Sequence, residues 1–389
     1  MNFINKIARD KTVARVLDSF HQELSYGLDL TVEIQQIPAP TFAEKERAAH
    51  VKKLFDQSSL LNIEMDELGN VYGRYRGTGS DRPPIIVSAH TDTVFPANTN
   101  LEIKREGNRI YGPGIADNSA GVAGMIWLIQ ALETHQLRPP RDIWIVANVG
   151  EEGLGDLNGM RSVYKRFGEG ATYIVLEGGS FGHLIHQGIG VHRFRVNISA
   201  EGGHSWADFG QSSAIHAMGS IINQISQISV PKVPKTSFNV GIVEGGTSIN
   251  TIARNASFLL DLRSTDVSSL NRLERKVEAI LYKHHDRGGV LVTWEQIGNR
   301  PAGKIGDQHP LVLWSVQALR VVGAHKVEKG ASSTDANIPL AEGAASVCLG
   351  LANSGNVHRT DEYLDYSNFS KGMGQLLLVT LAAADFGQF

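Results

Sequence analysis

The chain has 389 residues, of which 42% are hydrophobic, and this length suits two globular domains better than one. Its formal net charge is -3 with both signs interspersed, so we expect no basic surface that follows a nucleic-acid backbone. The N-terminal segment has charges in every turn, and no later segment reaches the length of a membrane span. We therefore expect a cytoplasmic protein that binds neither nucleic acid nor membrane.

Four short apolar runs predict buried strands, and one longer segment predicts a helix. The runs are PPIIVSAH, DIWIVANVG, TYIVLEGG and ASVCLGLA. In the segment NSAGVAGMIWLIQALETH, apolar residues recur at helical spacing, at Val122, Met125, Ile126, Ile129 and Leu132. The alternation of strands and helices predicts an α/β sheet that is covered on both faces.

The region between about 190 and 300 follows a different pattern. It begins with an alternating strand, VHRFRVNISAE, and continues through a helical segment, two strands, a second helical segment and a last strand, GVLVTWEQIG. This β-α-β-β-α-β order is that of a split ferredoxin-like domain. We therefore assign residues 191–300 to an inserted domain and residues 1–190 and 301–389 to one discontinuous domain.

Acidic and imidazole side chains follow the predicted strands or precede the predicted helix. They are His90 and Asp92 in SAHTDTVFP, Asp117 in YGPGIADNSAG, Glu151 and Glu152 in NVGEEGLGD, Glu177 in YIVLEGG, and His358 in LANSGNVHRTDEY. Each has an ordinary alternative: a structural histidine, a helix N-cap for Asp117, or a solvated turn for the paired glutamates. Independent structural roles would not be expected to place them all at one edge of a sheet, where α/β folds bind their ligands.

These residue types are metal ligands. The only cysteine, Cys348, lies in an apolar run, so neither an intramolecular disulfide nor a cysteine-based zinc site can form. Two histidines and three carboxylates suit a pair of zinc ions and are too many for one closed tetrahedral site. If one carboxylate bridges the two metals, the five ligands divide evenly between them. One glutamate of the adjacent pair would then remain without a metal to bind.

The motifs resemble those of the co-catalytic dizinc metallopeptidases and deacylases. This family includes peptidase T, aminoacylase-1, glutamate carboxypeptidase (G type), acetylornithine deacetylase and succinyl-diaminopimelate desuccinylase. The resemblance extends over nearly the whole chain, through AHTDTV, YGPGIADNSAG, GEEG, LEGG, GGHSWADFG, GGTSINTIARNASFLLDLR, SSTDANIP and GNVHRTDEY. It implies an α/β catalytic domain with a mostly parallel central sheet and an inserted ferredoxin-like lid or dimerisation domain.

The resemblance also implies a role for each candidate residue. His90 and Glu177 would bind one Zn²⁺, Glu152 and His358 the other, and Asp117 would bridge them, with Co²⁺ or Mn²⁺ able to substitute. Asp92 would orient His90, and Glu151 would be the general base that takes a proton from metal-bound water.

Three residues of the inserted domain would contact the substrate if the resemblance holds. His204 in GGHSW, Asn250 in GGTSINT and Arg263 in LLDLR would bind its carbonyl oxygen and carboxylate, with His204 reaching the partner's site in a homodimer. The ordinary alternatives are exposed polar residues and, for Arg263, an ion pair with Asp261. Gly245, Gly246 and Asp335 would help to shape the cleft.

The predicted activity is cleavage of an amide bond in a small peptide by a dizinc-bound hydroxide. An N-acyl-amino-acid deacylase would use the same machinery and remains an alternative. A metal-dependent binding or regulatory protein is an alternative of another class, but such a protein would have no chemical need for Glu151 beside a full set of ligands.

Overall fold

A computed structural model of the protein describes residues 3–79 and 82–387. The chain divides into two compact units, Met1–Gly188 with Lys304–Phe389, and Ile189–Gly303.

The elements before the inserted unit are the helices α1 (Phe3–Ala8), α2 (Lys11–Gln22), α3 (Leu24–Gln35), α4 (Lys45–Asp56), α5 (Gly121–Thr134) and α6 (Asn158–Phe167) and the strands β1 (Leu61–Met65), β2 (Val71–Tyr75), β3 (Ile85–His90), β4 (Lys104–Glu106), β5 (Arg109–Tyr111), β6 (Ile143–Asn148), β7 (Thr172–Glu177) and β8 (His183–Gly188). The inserted unit contains β9 (Gly190–Ala200), β10 (Gly203–His204), α7 (Ala214–Ser226), β11 (Thr236–Gly245), β12 (Thr251–Ile252), β13 (Asn255–Ser264), α8 (Val267–His284) and β14 (Val290–Arg300). The chain continues through β15 (Gly303–Lys304), α9 (Pro310–Val321), β16 (Glu328–Ser332), α10 (Asn337–Ala341), β17 (Ser346–Gly350), β18 (Asn353–Gly355), β19 (Tyr363–Asp365) and α11 (Phe369–Ala383).

The described residues of the discontinuous unit build a mixed sheet in the order β1-β2-β6-β3-β7-β17-β8-β15, and β16 also pairs with β8. Its centre, β6-β3-β7-β17, is parallel, whereas β1-β2, β2-β6 and β17-β8 are antiparallel pairs. Every residue of β3 is buried, because both faces of the sheet are covered, and this explains its continuous apolar run. The parallel centre brings the carboxyl ends of β3, β6 and β7 to one edge.

The core of this unit is formed by the sheet and by two largely apolar helices, α5 and α11. Trp127 of α5 lies edge-on to Phe20 and Phe369, with ring centroids 5.2 and 5.7 Å away. Helix α11 is buried around most of its circumference, as expected for a helix inside a core. Gly372 allows α11 to pass close to the chain after β17, because a Cβ atom there would collide with the carbonyl of Leu351. The two helices thus pack against β3 and against the chain that follows β17.

The inserted unit has its own hydrophobic core. An antiparallel sheet in the order β11-β13-β9-β14 packs against α7 and α8. Burial alternates along β13, so one sheet face contacts the helices and the other carries polar side chains. The β-α-β-β-α-β elements are present in the predicted order, with the short pair β10-β12 in addition.

Across the described ranges, no helix combines the length and apolar character that a membrane crossing requires.

Candidate metal centre

His90 and Glu177 end two parallel strands that neighbour each other, β3 and β7. The buried imidazole of His90 places its Nε2 3.1 Å from Asp117 Oδ1 and 3.8 Å from Glu177 Oε2. Gly178, directly after Glu177, allows the chain before Asp117 to approach β7, since a Cβ atom at Gly178 would collide with the carbonyl of Ala116. The sheet edge and the segment carrying Asp117 thus meet at His90.

Asp117 lies between two imidazoles. It belongs to an irregular turn, Ile115–Ala120, and the peptide bond that follows it is cis. The N-cap of helix α5 is Ala120, whereas the two carboxylate oxygens of Asp117 lie 3.1 Å from His90 Nε2 and 3.1 Å from His358 Nε2. The structure therefore does not support the alternative that Asp117 caps the helix. Asn118 fastens the turn to β7, because its Nδ2 donates to the Leu176 carbonyl at 2.8 Å.

Glu152 and His358 complete the group on the other side of Asp117. His358 Nε2 lies 3.0 Å from Glu152 Oε1, although the two residues are far apart in the chain. Ligand atoms of His90, Asp117 and Glu152 all lie within 4.8 Å of one another. Two imidazole nitrogens and several carboxylate oxygens at this separation are a donor set for divalent cations such as zinc.

Asp92 explains how two adjacent glutamates are held in a turn. Its buried carboxylate accepts the backbone N–H of Glu151 at 3.0 Å and that of Glu152 at 2.9 Å. It also accepts the hydroxyl of Thr41 at 2.9 Å and lies 3.4 Å from His90 Nδ1. The Glu151–Glu152 backbone is thus fixed relative to His90, and both glutamate side chains are buried.

The side chains at this centre shift one another's pKa values. Burial lowers the pKa of His90, but hydrogen bonds with Asp117, Asp92 and Glu177 raise it well above its usual range. Hydrogen bonds with Asp117 and Glu152 raise the pKa of His358 to about 10. Burial raises the pKa of Glu177 to about 7, although its hydrogen bond with His90 opposes this shift. The carboxylates together therefore produce a strong preference for positive charge at this point.

Sequence reasoning missed several buried residues that hold the backbone of the site. The N–H of Gly150 donates to Glu44 Oε1 at 3.2 Å, and that of Val149 to Asn70 Oδ1 at 3.0 Å. Asn148, which ends β6 beside His90, donates to Asp335 Oδ2 at 2.6 Å. Asp335 was expected only to help shape the cleft, and nothing in the composition of the segment PAPTFAEKER distinguishes Glu44 from an exposed acid.

Glu362 was also missed, although it lies in the motif GNVHRTDEY that contains His358. It is fully buried, and its Oε1 accepts the backbone N–H groups of Ala116 and Asp117, both at 2.9 Å. Its position four residues after His358 was the signal available in the sequence.

The inserted unit brings together two of its three candidate substrate-binding residues. Strands β10 and β12 pair, and the N–H of Ser205 donates to the Asn250 carbonyl at 3.0 Å, so His204 at the end of β10 lies close to Asn250, which precedes β12. Arg263 lies elsewhere on the sheet, and its Nε donates to Asp261 Oδ2 at 2.6 Å. This ion pair is the alternative considered for Arg263. The Arg263 side chain is nevertheless 42% exposed.

Together, the mixed α/β sheet and a His/Asp/Glu group at its edge define the class of metal-dependent hydrolases. Residues 86–381 match the model of Peptidase family M20/M25/M40, and the chain belongs to this family. The predicted family and the prediction of a hydrolase acting on peptide or linear amide bonds are thereby confirmed.

Individual relatives carry different names. A probable carboxypeptidase of Aspergillus clavatus is 26% identical over 59% of this chain and 60% of its own length, so that match spans less than two thirds of the relative. A succinyl-diaminopimelate desuccinylase of Nitrosospira multiformis is 22% identical over 80% of this chain and 86% of its own. The crystal structure of a tripeptidase from Staphylococcus aureus superposes with a TM-score of 0.76 at 23% identity, over 92% of this chain and 98% of that one. This similarity confirms the predicted two-domain α/β fold.

Proposed function

We propose that this protein is a dizinc hydrolase that cleaves an amide bond in a small peptide. The observation that carries the proposal is the position of Asp117, whose two oxygens face His90 and His358 at 3.1 Å each. A carboxylate with an imidazole on either side is the arrangement expected of a ligand shared by two cations. His90 and Glu177 would hold one Zn²⁺, and Glu152 and His358 would hold the other.

The donor set fits this pair of cations. It combines imidazole nitrogen and carboxylate oxygen, which zinc binds and which Co²⁺ and Mn²⁺ also accept. Asp92 lies at 3.4 Å from Nδ1 of His90, on the opposite side of the ring from Asp117, where it would orient the imidazole.

Glu151 supplies the acid–base step in this proposal. When bound, the zinc ions would polarise the substrate carbonyl and lower the pKa of the attacking water. The Glu151 carboxylate would accept the proton of that water and transfer it to the leaving amide nitrogen. Asp92 fixes the backbone N–H of Glu151, so the Glu151 side chain can point in a different direction from that of Glu152, whose carboxylate contacts His358.

An N-acyl-amino-acid deacylase is the alternative within the same family. None of the proposed ligands distinguishes an acyl amino acid from a peptide, because both present the same amide to the metals and to Glu151. A panel of di- and tripeptides compared with N-acetyl amino acids separates the two, and we expect higher kcat/KM for the peptides. Absence of turnover on both, with metal bound, would instead favour a non-catalytic binding protein.

Metal removal should abolish hydrolysis. Dialysis against a chelator removes the proposed Lewis acids, and addition of Zn²⁺, Co²⁺ or Mn²⁺ should restore activity because all three accept this donor set. Elemental analysis should find two zinc ions per chain in the active protein. A fully active protein without metal would contradict the proposal.

Neutralising the two adjacent glutamates should have different effects. Glu151→Gln should keep both metals and lower kcat by at least ~100-fold, the usual scale of general-base loss. Glu152→Gln should weaken metal binding as well, because its Oε1 is a proposed ligand. The two substitutions remove the same charge from adjacent positions, so each is the control of the other. Metal loss in Glu151→Gln but not in Glu152→Gln would reverse the assigned roles.

We also propose that the protein forms a homodimer through the inserted unit and that His204 acts in the partner's site. Strand β11 is an edge of the inserted sheet, and its exposed Ile242 and Val243 offer apolar surface beside unpaired backbone. His204 Nδ1 accepts the N–H groups of Trp206 and Ala207 at 3.2 and 3.3 Å, so its Nε2 would carry the proton that a substrate carbonyl requires.

Complementation tests this dimer. Neither His204→Ala nor Glu151→Gln should be active alone, but a hybrid dimer of the two should contain one intact site, because each subunit supplies what the other lacks. Activity should therefore appear on mixing under conditions that allow subunit exchange. Hybrids verified by mass spectrometry that show no activity, or a fully active monomer, would contradict the proposal.

Arg263 and Asn250 are proposed to bind the substrate beside the reacting amide, with Arg263 on its carboxylate. A guanidinium matches a carboxylate with two parallel hydrogen bonds, and a bond to a charged group contributes about 1.5 to 3 kcal/mol. Amidation of the substrate carboxylate should therefore lower kcat/KM by roughly 10- to 150-fold. Arg263→Ala should cost a similar factor on the free acid and little on the amide, because both changes remove the same contact.

Arg195→Ala is the matched control, because Arg195 lies on the same sheet and pairs with Glu295 at 3.0 Å. We expect it to leave both substrates unaffected. If Arg263→Ala lowers kcat/KM equally for the acid and the amide, the ion pair with Asp261 is a structural contact and another residue binds the substrate carboxylate.

A further inference from the structure

Three of the proposed metal ligands lie in backbone that no helix or strand fixes. The backbone of Glu152 is held by Asp92, which leaves Asp117 and His358. Asp117 has φ -109° and ψ 91° within its irregular turn, and His358 has a left-handed φ of 66° in the loop before β19. His90 and Glu177, by contrast, end strands that are hydrogen-bonded on both sides. A metal site tolerates little displacement of its ligands, so something else must hold Asp117 and His358 in place.

Glu362 contacts both irregular segments. Its Oε1 accepts the N–H groups of Ala116 and Asp117 at 2.9 Å each, and Glu362 itself lies in the same loop as His358, four residues further along the chain. The main chain adds to this connection, since the Gly112 N–H donates to the Glu362 carbonyl at 2.8 Å and the Glu362 N–H donates to the Arg359 carbonyl at 3.0 Å. One fully buried residue therefore joins the two loops.

A buried carboxylate is costly unless backbone or side-chain donors replace its water. In this position an apolar residue would avoid that cost but would leave the N–H groups of Ala116 and Asp117 without the oxygen that they contact. The carboxylate thus does what an apolar side chain of similar size cannot do: it fixes the direction of the backbone at Asp117 itself.

We propose that Glu362 is a positioning residue that sets the distance between Asp117 and His358, so that both cations depend on it. This proposal rests on the proposed dimetal function. It assigns to Glu362 no contact with substrate and no proton transfer; it acts only by accepting backbone N–H groups.

Three variants separate the placement of the acceptor from its charge. Glu362→Ala removes the acceptor. Glu362→Gln keeps an oxygen at the same reach but no charge, and Glu362→Asp keeps the charge but withdraws it by one methylene group. Glu342→Ala, at an exposed acid, is the control for loss of one negative charge. Thermal unfolding of each full-length variant verifies that it is folded.

The first measurement is hydrogen–deuterium exchange in the metal-free protein. The amides of Ala116 and Asp117 should exchange at least ~10-fold faster in the Ala and Asp variants, whereas Gln and the Glu342→Ala control should stay close to the parent protein, because a hydrogen-bonded amide exchanges only on opening. The second is zinc affinity by competition with a chromophoric chelator. Ala and Asp should weaken both sites roughly 10- to 100-fold, the usual effect of removing a residue that supports a ligand.

The order of the variants decides the matter. If zinc affinity and amide protection fall little in Glu362→Gln and strongly in Glu362→Asp, the position of the acceptor oxygen matters more than its charge, as proposed. The reverse order, or unchanged amide exchange in Glu362→Ala, would overturn the proposal. If the parent protein binds no divalent cation, the dimetal function fails on that result alone, while the exchange measurement still reports separately whether Glu362 holds the turn.

Discussion

The rest of the site depends on the hydrogen bonds that the buried carboxylate of Asp92 accepts. Asp92 lies two residues beyond the end of β3 and accepts the N–H groups of Glu151 and Glu152, which follow the end of β6. It also lies beside His90 Nδ1, so one side chain connects two strand ends and a candidate ligand. Two adjacent glutamates would otherwise repel each other in a glycine-rich turn; here their backbone is fixed and their side chains can differ in direction.

Other residues of the turn are held in the same way as the two glutamates. Successive N–H groups of the turn donate to side chains from other segments, with Val149 on Asn70, Gly150 on Glu44, and the glutamates on Asp92. The turn therefore has little freedom, although it is neither helix nor strand. Such preorganisation is what a proposed general base requires, because a carboxylate displaced by about 1 Å loses much of its catalytic effect.

The sequence predicted the parts of this structure that follow from simple patterns. The strands β3, β6, β7 and β17 were recognisable because burial on both faces makes them continuously apolar, and the candidate ligands His90, Glu152 and Glu177 were selected because they end or follow three of those strands. The supporting acid Glu44 could not be predicted, since its partner is a backbone N–H group in a distant segment and nothing in its own segment marks it. For Glu362 the only signal was its position four residues after His358, because its partners are also backbone N–H groups of a distant segment. The ion pair of Arg263 with Asp261 was foreseen only as an alternative, because residues two apart on a strand share a face whether or not a ligand binds there.

The central claim is that Asp117 bridges two cations, and anomalous diffraction tests it most directly. Crystals of the zinc-loaded protein should show, across the zinc absorption edge, two peaks on either side of the Asp117 carboxylate, about 3.5 to 4 Å apart as in other two-metal sites. One peak should lie beside His90 and Glu177 and the other beside Glu152 and His358. A single peak, or two peaks of which neither contacts Asp117, would contradict the account.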